Sequence, residues 1–269
     1  MKRLLLILLL ILSFAAFGQM NTKVLPYSNF EYIEYTPPDG VKPRAIIVFL
    51  HGLGEVGRGI SAVEKNEIPA LFKQGVVKEY IVLAPYLESG TQWPKNRLLA
   101  ILDLIETYKL KTGIDKVVIT GLSLGGIGTI ATLHWANEKF KRNDYFAAAA
   151  IVCGKTGYKD MEPFIGVPIK AWHGVNDSQL PISNMRTFVK RVKDAGGNIE
   201  LVEYAGVNHN AWDYAYRDGD NEFWAWLDKI IPDKEPEQAK HFDGVVFQEG
   251  EDIFFKSEAG TYKLQATKQ

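Results

Sequence analysis

Lys116-Val117-Val118-Ile119-Thr120-Gly121-Leu122-Ser123-Leu124-Gly125-Gly126 is the stretch that decides the fold. Its first half is a run of β-branched residues, the pattern of a strand buried on both faces. Its second half is Gly-x-Ser-x-Gly, and residues 124–137 continue from it as a helix. Alone, that pentapeptide is weak. Between a strand and a helix it has a mechanical meaning: the serine stands on a tight, strained turn whose neighbours must be small, with its hydroxyl exposed above a sheet. The helix N-terminus favours negative charge developing there. The plain alternative is an ordinary Gly-Ser turn capping a helix, and the strand–turn–helix setting argues against it.

Outward from this turn, strands and helices alternate. Residues 30–35, 45–50, 80–83, 116–120, 147–152, 169–172 and 199–204 read as strands; 97–110, 124–137, 182–195 and 222–231 read as helices. Alternation over about residues 45–230 predicts an α/β fold, a mostly parallel central sheet with helices on both faces. Only residues 154–168 separate two of the central strands, so no large lid domain is expected. The tail changes character. Asp233 to Glu237 is a charged linker, and residues 244–248, 252–256 and 261–265 are short β-like runs. They suit either a small β-meander on the main domain or a fragment of a binding or sorting module.

The 269 residues carry a net charge of −1 and are 46% apolar, enough for a packed core and without the basic stripe of a nucleic-acid binder. Lys2 and Arg3 precede an apolar run to Phe17, and Ala16-Phe17-Gly18 supplies a small-residue cleavage site. This is the layout of a secretory signal peptide, too short for a membrane span. The expected division is a leader over 1–18, a main α/β domain over 19–231 and a charged linker with a short β-rich extension over 232–269. The expected destination is the periplasm or the medium, with no stable membrane insertion after cleavage. The single cysteine, Cys153, cannot form an internal disulfide and reads as a buried small residue at a strand end.

A serine hydroxyl needs a base, and the base needs an orienting acid. His134 lies inside the helix leaving the turn, His173 reads as structural and His241 falls in the tail. His209, in the loop after the last strand, remains as the base, on an imidazole free to reach the serine. Asp177 follows the strand at 169–172, at the carboxyl end where catalytic groups gather; its rival, Asp213, follows His209. The oxyanion hole is assigned to the backbone N–H groups of Leu124 and of Leu53, in the glycine-rich loop after residues 45–50. Tyr86, Trp93 and Trp212 are candidates to line an acyl or sugar cleft. No cluster has metal-ligand spacing, and neither a metal nor a cofactor is expected.

Four segments, His51 to Gly57, Gly121 to Gly126, His173 to Asp177 and Gly206 to Trp212, together resemble the α/β-hydrolase superfamily. The nearest branch holds dienelactone-hydrolase-like proteins, phospholipase/carboxylesterase-like enzymes, peptidase-like members and feruloyl or acetylxylan esterases. The resemblance spans about residues 27–231 and leaves out the tail. It implies acyl transfer through an acyl-enzyme on Ser123, with a small-molecule or polysaccharide-borne ester as substrate. A serine peptidase on the same fold is the runner-up, a lipase lacks its lid, and a non-catalytic carbohydrate-binding protein would be expected to have lost a triad residue.

Overall fold

Alternation becomes a single eight-stranded sheet in the computed structural model, which describes residues 18–25, 30–75, 79–217, 222–232, 244–249, 252–257 and 260–264. Its strands are β1 (Gln19–Leu25), β2 (Phe30–Thr36), β3 (Ala45–Leu50), β4 (Tyr80–Pro85), β5 (Val117–Leu122), β6 (Ala148–Val152), β7 (Ile169–Gly174) and β8 (Ile199–Tyr204). They lie in the order β1-β2-β4-β3-β5-β6-β7-β8. β1 and β2 run antiparallel, and every pair from β4 to β8 is parallel. The helices are α1 (Ile60–Glu64), α2 (Glu67–Lys73), α3 (Lys95–Thr112), α4 (Leu124–Phe140), α5 (Glu162–Ile165), α6 (Ile182–Asp194) and α7 (Glu222–Ile230).

The central strands are apolar on both sides because both sides are covered. Ile46, Val48 and Leu50 of β3 join a core with α3, α4 and α6; Ala45, Ile47 and Phe49 join another with α2 and α7. Pairing of Leu50 with Gly121, Leu122 with Val152 and Val152 with Trp172 brings the carboxyl ends of β3, β5, β6 and β7 level. The loops bearing the candidate site all leave from that rim.

Three features depart from the sequence-based expectation. β5 runs past Thr120 to Leu122 and delivers the chain directly to Ser123. β1 was not anticipated: its residues are mostly exposed and polar, and the sheet edge organises them. The short helices α1, α2 and α5 were also unforeseen, at five, seven and four residues too brief for periodicity to declare them. In the tail, β9 (Gly244–Glu249), β10 (Asp252–Ser257) and β11 (Gly260–Leu264) form an antiparallel three-stranded sheet. The leader, except Gly18, lies outside the described residues, as do the charged linker and His241. Among the described residues no helix is long and apolar enough to cross a membrane.

Candidate active site

Ser123 occupies the junction of β5 and α4 with φ 53° and ψ −115°, a backbone region a side chain enters only under strain. Its amide donates to the Val152 carbonyl at 2.9 Å, which ties the turn to β6. The small neighbours the motif requires have a visible cause. A methyl on Gly125 would stand 1.8 Å from the Leu50 carbonyl oxygen and 2.8 Å from that of His51. The first turn of α4 therefore rests directly on the backbone that opens the glycine-rich loop.

The hydroxyl of Ser123 lies 2.8 Å from Nε2 of His209, and Nδ1 of His209 lies 2.7 Å from Oδ2 of Asp177. Since the carboxylate only accepts, Nδ1 carries the proton, which leaves Nε2 to accept the serine proton. His209 is not the loosely held imidazole the sequence suggested. It is 8% exposed, held at both ring nitrogens, and flanked edge-on by Trp212 at 5.2 Å. Its carbonyl accepts the Cys153 thiol at 3.1 Å. Burial pushes that thiol up to about 12, so Cys153 serves as a donor here and not as a thiolate. Burial acts to raise Asp177, but hydrogen bonds from His209 and from the amides of Leu180 and Gln179 outweigh it and hold the carboxyl below its ordinary range. Asp213 is elsewhere, accepting from Asn210 at 3.0 Å.

The oxyanion candidates occupy the expected loops. Leu124 opens α4, where first-turn N–H groups have no intrahelical acceptor. Leu53 opens a short 3₁₀ turn, Leu53–Glu55, with its side chain exposed. His51 holds that loop, a part the sequence did not reveal. The Leu87 amide donates to its Nε2 at 3.0 Å, so Nδ1 carries the proton and donates to the Gly52 carbonyl at 2.7 Å. Burial lowers its pKa to about 4.

The three aromatic candidates separate. Trp212 stays beside His209. Tyr86 does not line the cleft as expected: it is buried 6.0 Å from the His51 ring, and its hydroxyl accepts the Gly59 amide, which makes it part of the loop's scaffold. Trp93 packs edge-on to His51 at 5.1 Å and also walls a cleft of about 530 Å³. Trp135, Tyr158, Ile127, Lys155 and Asn184 line the same cleft. The Ile127 amide donates to the Ser123 carbonyl, which puts that wall one helical turn from the nucleophile. Trp135 and Tyr158 were missed because each looks like core until the loop after β6 folds over α4.

The dienelactone hydrolase family model matches residues 68–223. No curated protein sequence matches significantly. Among solved structures, a thermostable esterase superposes with TM-score 0.64 at 26% identity, covering 78% of this chain and 62% of that one. This chain thus spans less than two thirds of that esterase. Thermogutta terrifontis esterase 2 phosphoramylated by tabun (TM-score 0.57, 18% identity, 82% and 97% covered) and esterase PE8 (0.53, 18%, 80% and 99%) share the fold. With over half of its length matched, the chain belongs to the dienelactone hydrolase family, and its fold is that of the α/β-hydrolases.

Proposed function

We propose that the protein is an exported serine carboxylesterase that removes acyl groups, acetyl or feruloyl, from esters carried on polysaccharide. The observation that carries the ester reading is the unbroken chain from Ser123 Oγ through His209 to Asp177, at 2.8 and 2.7 Å. Ser123 attacks the ester carbonyl as Nε2 of His209 takes its proton; the N–H groups of Leu53 and Leu124 receive the oxyanion. His209 then protonates the departing alcohol, and water cleaves the acyl-enzyme by the same path.

The cleft supports the saccharide half of the reading. Trp93, Trp135 and Tyr158 put aromatic carbon on its wall, with Lys95 over the Trp135 ring at 4.2 Å and His134 stacked on Tyr158, and Lys155 and Asn184 add polar groups, a mixed lining that suits a sugar ring. Export is consistent with such a substrate, because a polymer has to be met outside the cell. N-terminal sequencing of the natural protein should begin at Gln19.

The test is hydrolysis of p-nitrophenyl acetate and of acetylated and feruloylated polysaccharide by the parent and by Ser123→Ala and Trp135→Ala. Ser123→Ala should lose all measurable turnover. Trp135→Ala should lose about tenfold or more in kcat/KM on the polymer while keeping its rate on the small ester. Equal loss on both substrates would remove the sugar-binding role, and a parent inert to every ester would sink the esterase reading.

A further inference from the structure

Beside the acid stands a second imidazole that the reaction scheme leaves unused. His173, at the end of β7, is fully buried, with Nε2 2.8 Å from the Leu180 carbonyl and 3.1 Å from Oδ2 of Asp177. Both neighbours are acceptors, so Nε2 carries the proton. Nδ1 is buried with no partner, which an unprotonated nitrogen tolerates far better than an N–H would.

We propose that His173 is a positioning residue for the catalytic acid. The Leu180 carbonyl closes the turn whose amides, at Gln179 and Leu180, hold Oδ1 of Asp177 at 2.9 and 2.8 Å. His173 pins that turn from below and presents the positive end of its N–H next to Oδ2. The carboxylate is thus held at one oxygen by the turn, and its other oxygen is steered toward His209. The same packing brings the two loops together: a methyl on Gly174, the next residue, would stand 2.0 Å from the Asn208 carbonyl oxygen. Cys153, whose thiol holds the His209 carbonyl, has its sulfur within 4.8 Å of ligand atoms of His173 and Asp177. The thiol donates to the His209 carbonyl, His173 to the Leu180 carbonyl, and Oδ2 accepts from His209, so each of the three is tied to a loop of the site.

The inference rests on the serine-hydrolase site and not on which ester it cleaves, so its test uses a probe indifferent to substrate. A fluorophosphonate labels the nucleophile: Ser123 Oγ bonds to phosphorus, fluoride leaves, and His209 takes the proton. His173→Leu and His173→Asn remove the reach to Leu180, whereas His173→Gln carries an N–H of similar reach. The first two should slow labelling about ten- to a hundredfold at unchanged probe affinity, and Gln should recover most of the loss. In an Asp177→Asn background the same substitutions should cost almost nothing more, because there is no longer a carboxylate to aim. Without any substrate, the far-downfield Nδ1–H proton resonance of His209 should shift in the Leu and Asn variants and stay in Gln. Should Leu not fold, Asn and the resonance still decide. Unchanged labelling in Asn, no recovery in Gln, or full additivity with Asp177→Asn would each overturn the proposal. A parent that labels but cleaves no ester would defeat the proposed function alone.

Discussion

Ser123 is held where glycine would be relaxed. Its φ of 53° with ψ −115° costs a side-chain-bearing residue about 1–3 kcal/mol. Ser123→Ala keeps that cost, whereas Ser123→Gly sheds it and gives back a smaller amount through the looser unfolded chain. Both variants should be inactive, and urea unfolding should find Gly more stable than Ala by about 1 kcal/mol; a Gly variant no more stable would deny the strain. His51 supplies a pH-dependent counterpart. Burial depresses its pKa from 6.5 to about 4, so its share of stability is complete above about 6.5 and is lost as pH falls through about 4. His51→Gln can still accept from Leu87 and donate to Gly52. Its melting temperature should fall less than the parent's across that window, and parallel curves would argue against the reading.

Between elements, the opposite sign operates where α2 meets the π-helical turn Asp213–Arg217. Burial raises Glu67 from 4.5 to about 7 against the opposing pull of Arg217, whose Nε lies 2.6 Å from Oε2. The group's stability is present below about 4.5 and lost as pH rises through about 7. Glu67→Gln should flatten the parent's decline over that range, measured as chemical unfolding at several pH values. The long apolar strands and helices were legible because each repeats one period for a full span: β3 reads Ala-Ile-Ile-Val-Phe-Leu with every residue buried. Ser123, Asp177 and His209 were legible because chain order on this fold assigns their loops, and the structure puts those loops on one rim. Side chains whose roles arise only between elements were not legible. His51 and His173 stand in motifs that flag the loop without flagging the hydrogen bond, and Tyr86 met the requirements for a cleft residue until its hydroxyl found Gly59.

Across the molecule, Arg44 ties the chain's early part to its late part. From just before β3 it donates to Asp228 at 2.7 Å, to Glu79 at 3.2 Å, and to the Ile231 carbonyl at the end of α7. Its two carboxylate partners are half-exposed and contribute little; the carbonyl bond matters more. Arg44→Met should lower the unfolding free energy by about 1–3 kcal/mol without changing esterase turnover at 25 °C, and a loss of activity at full stability would contradict a purely structural tie. Gln19 pairs with Thr36, and Tyr32, farther back along β2, pairs with Pro85 at the carboxyl end of β4. The chain therefore enters the sheet at the pole opposite the catalytic loops, a strand length of about 20 Å away. A tether attached ahead of Gln19, whether a bead or an electrode, would leave the mouth of the site turned away from its support.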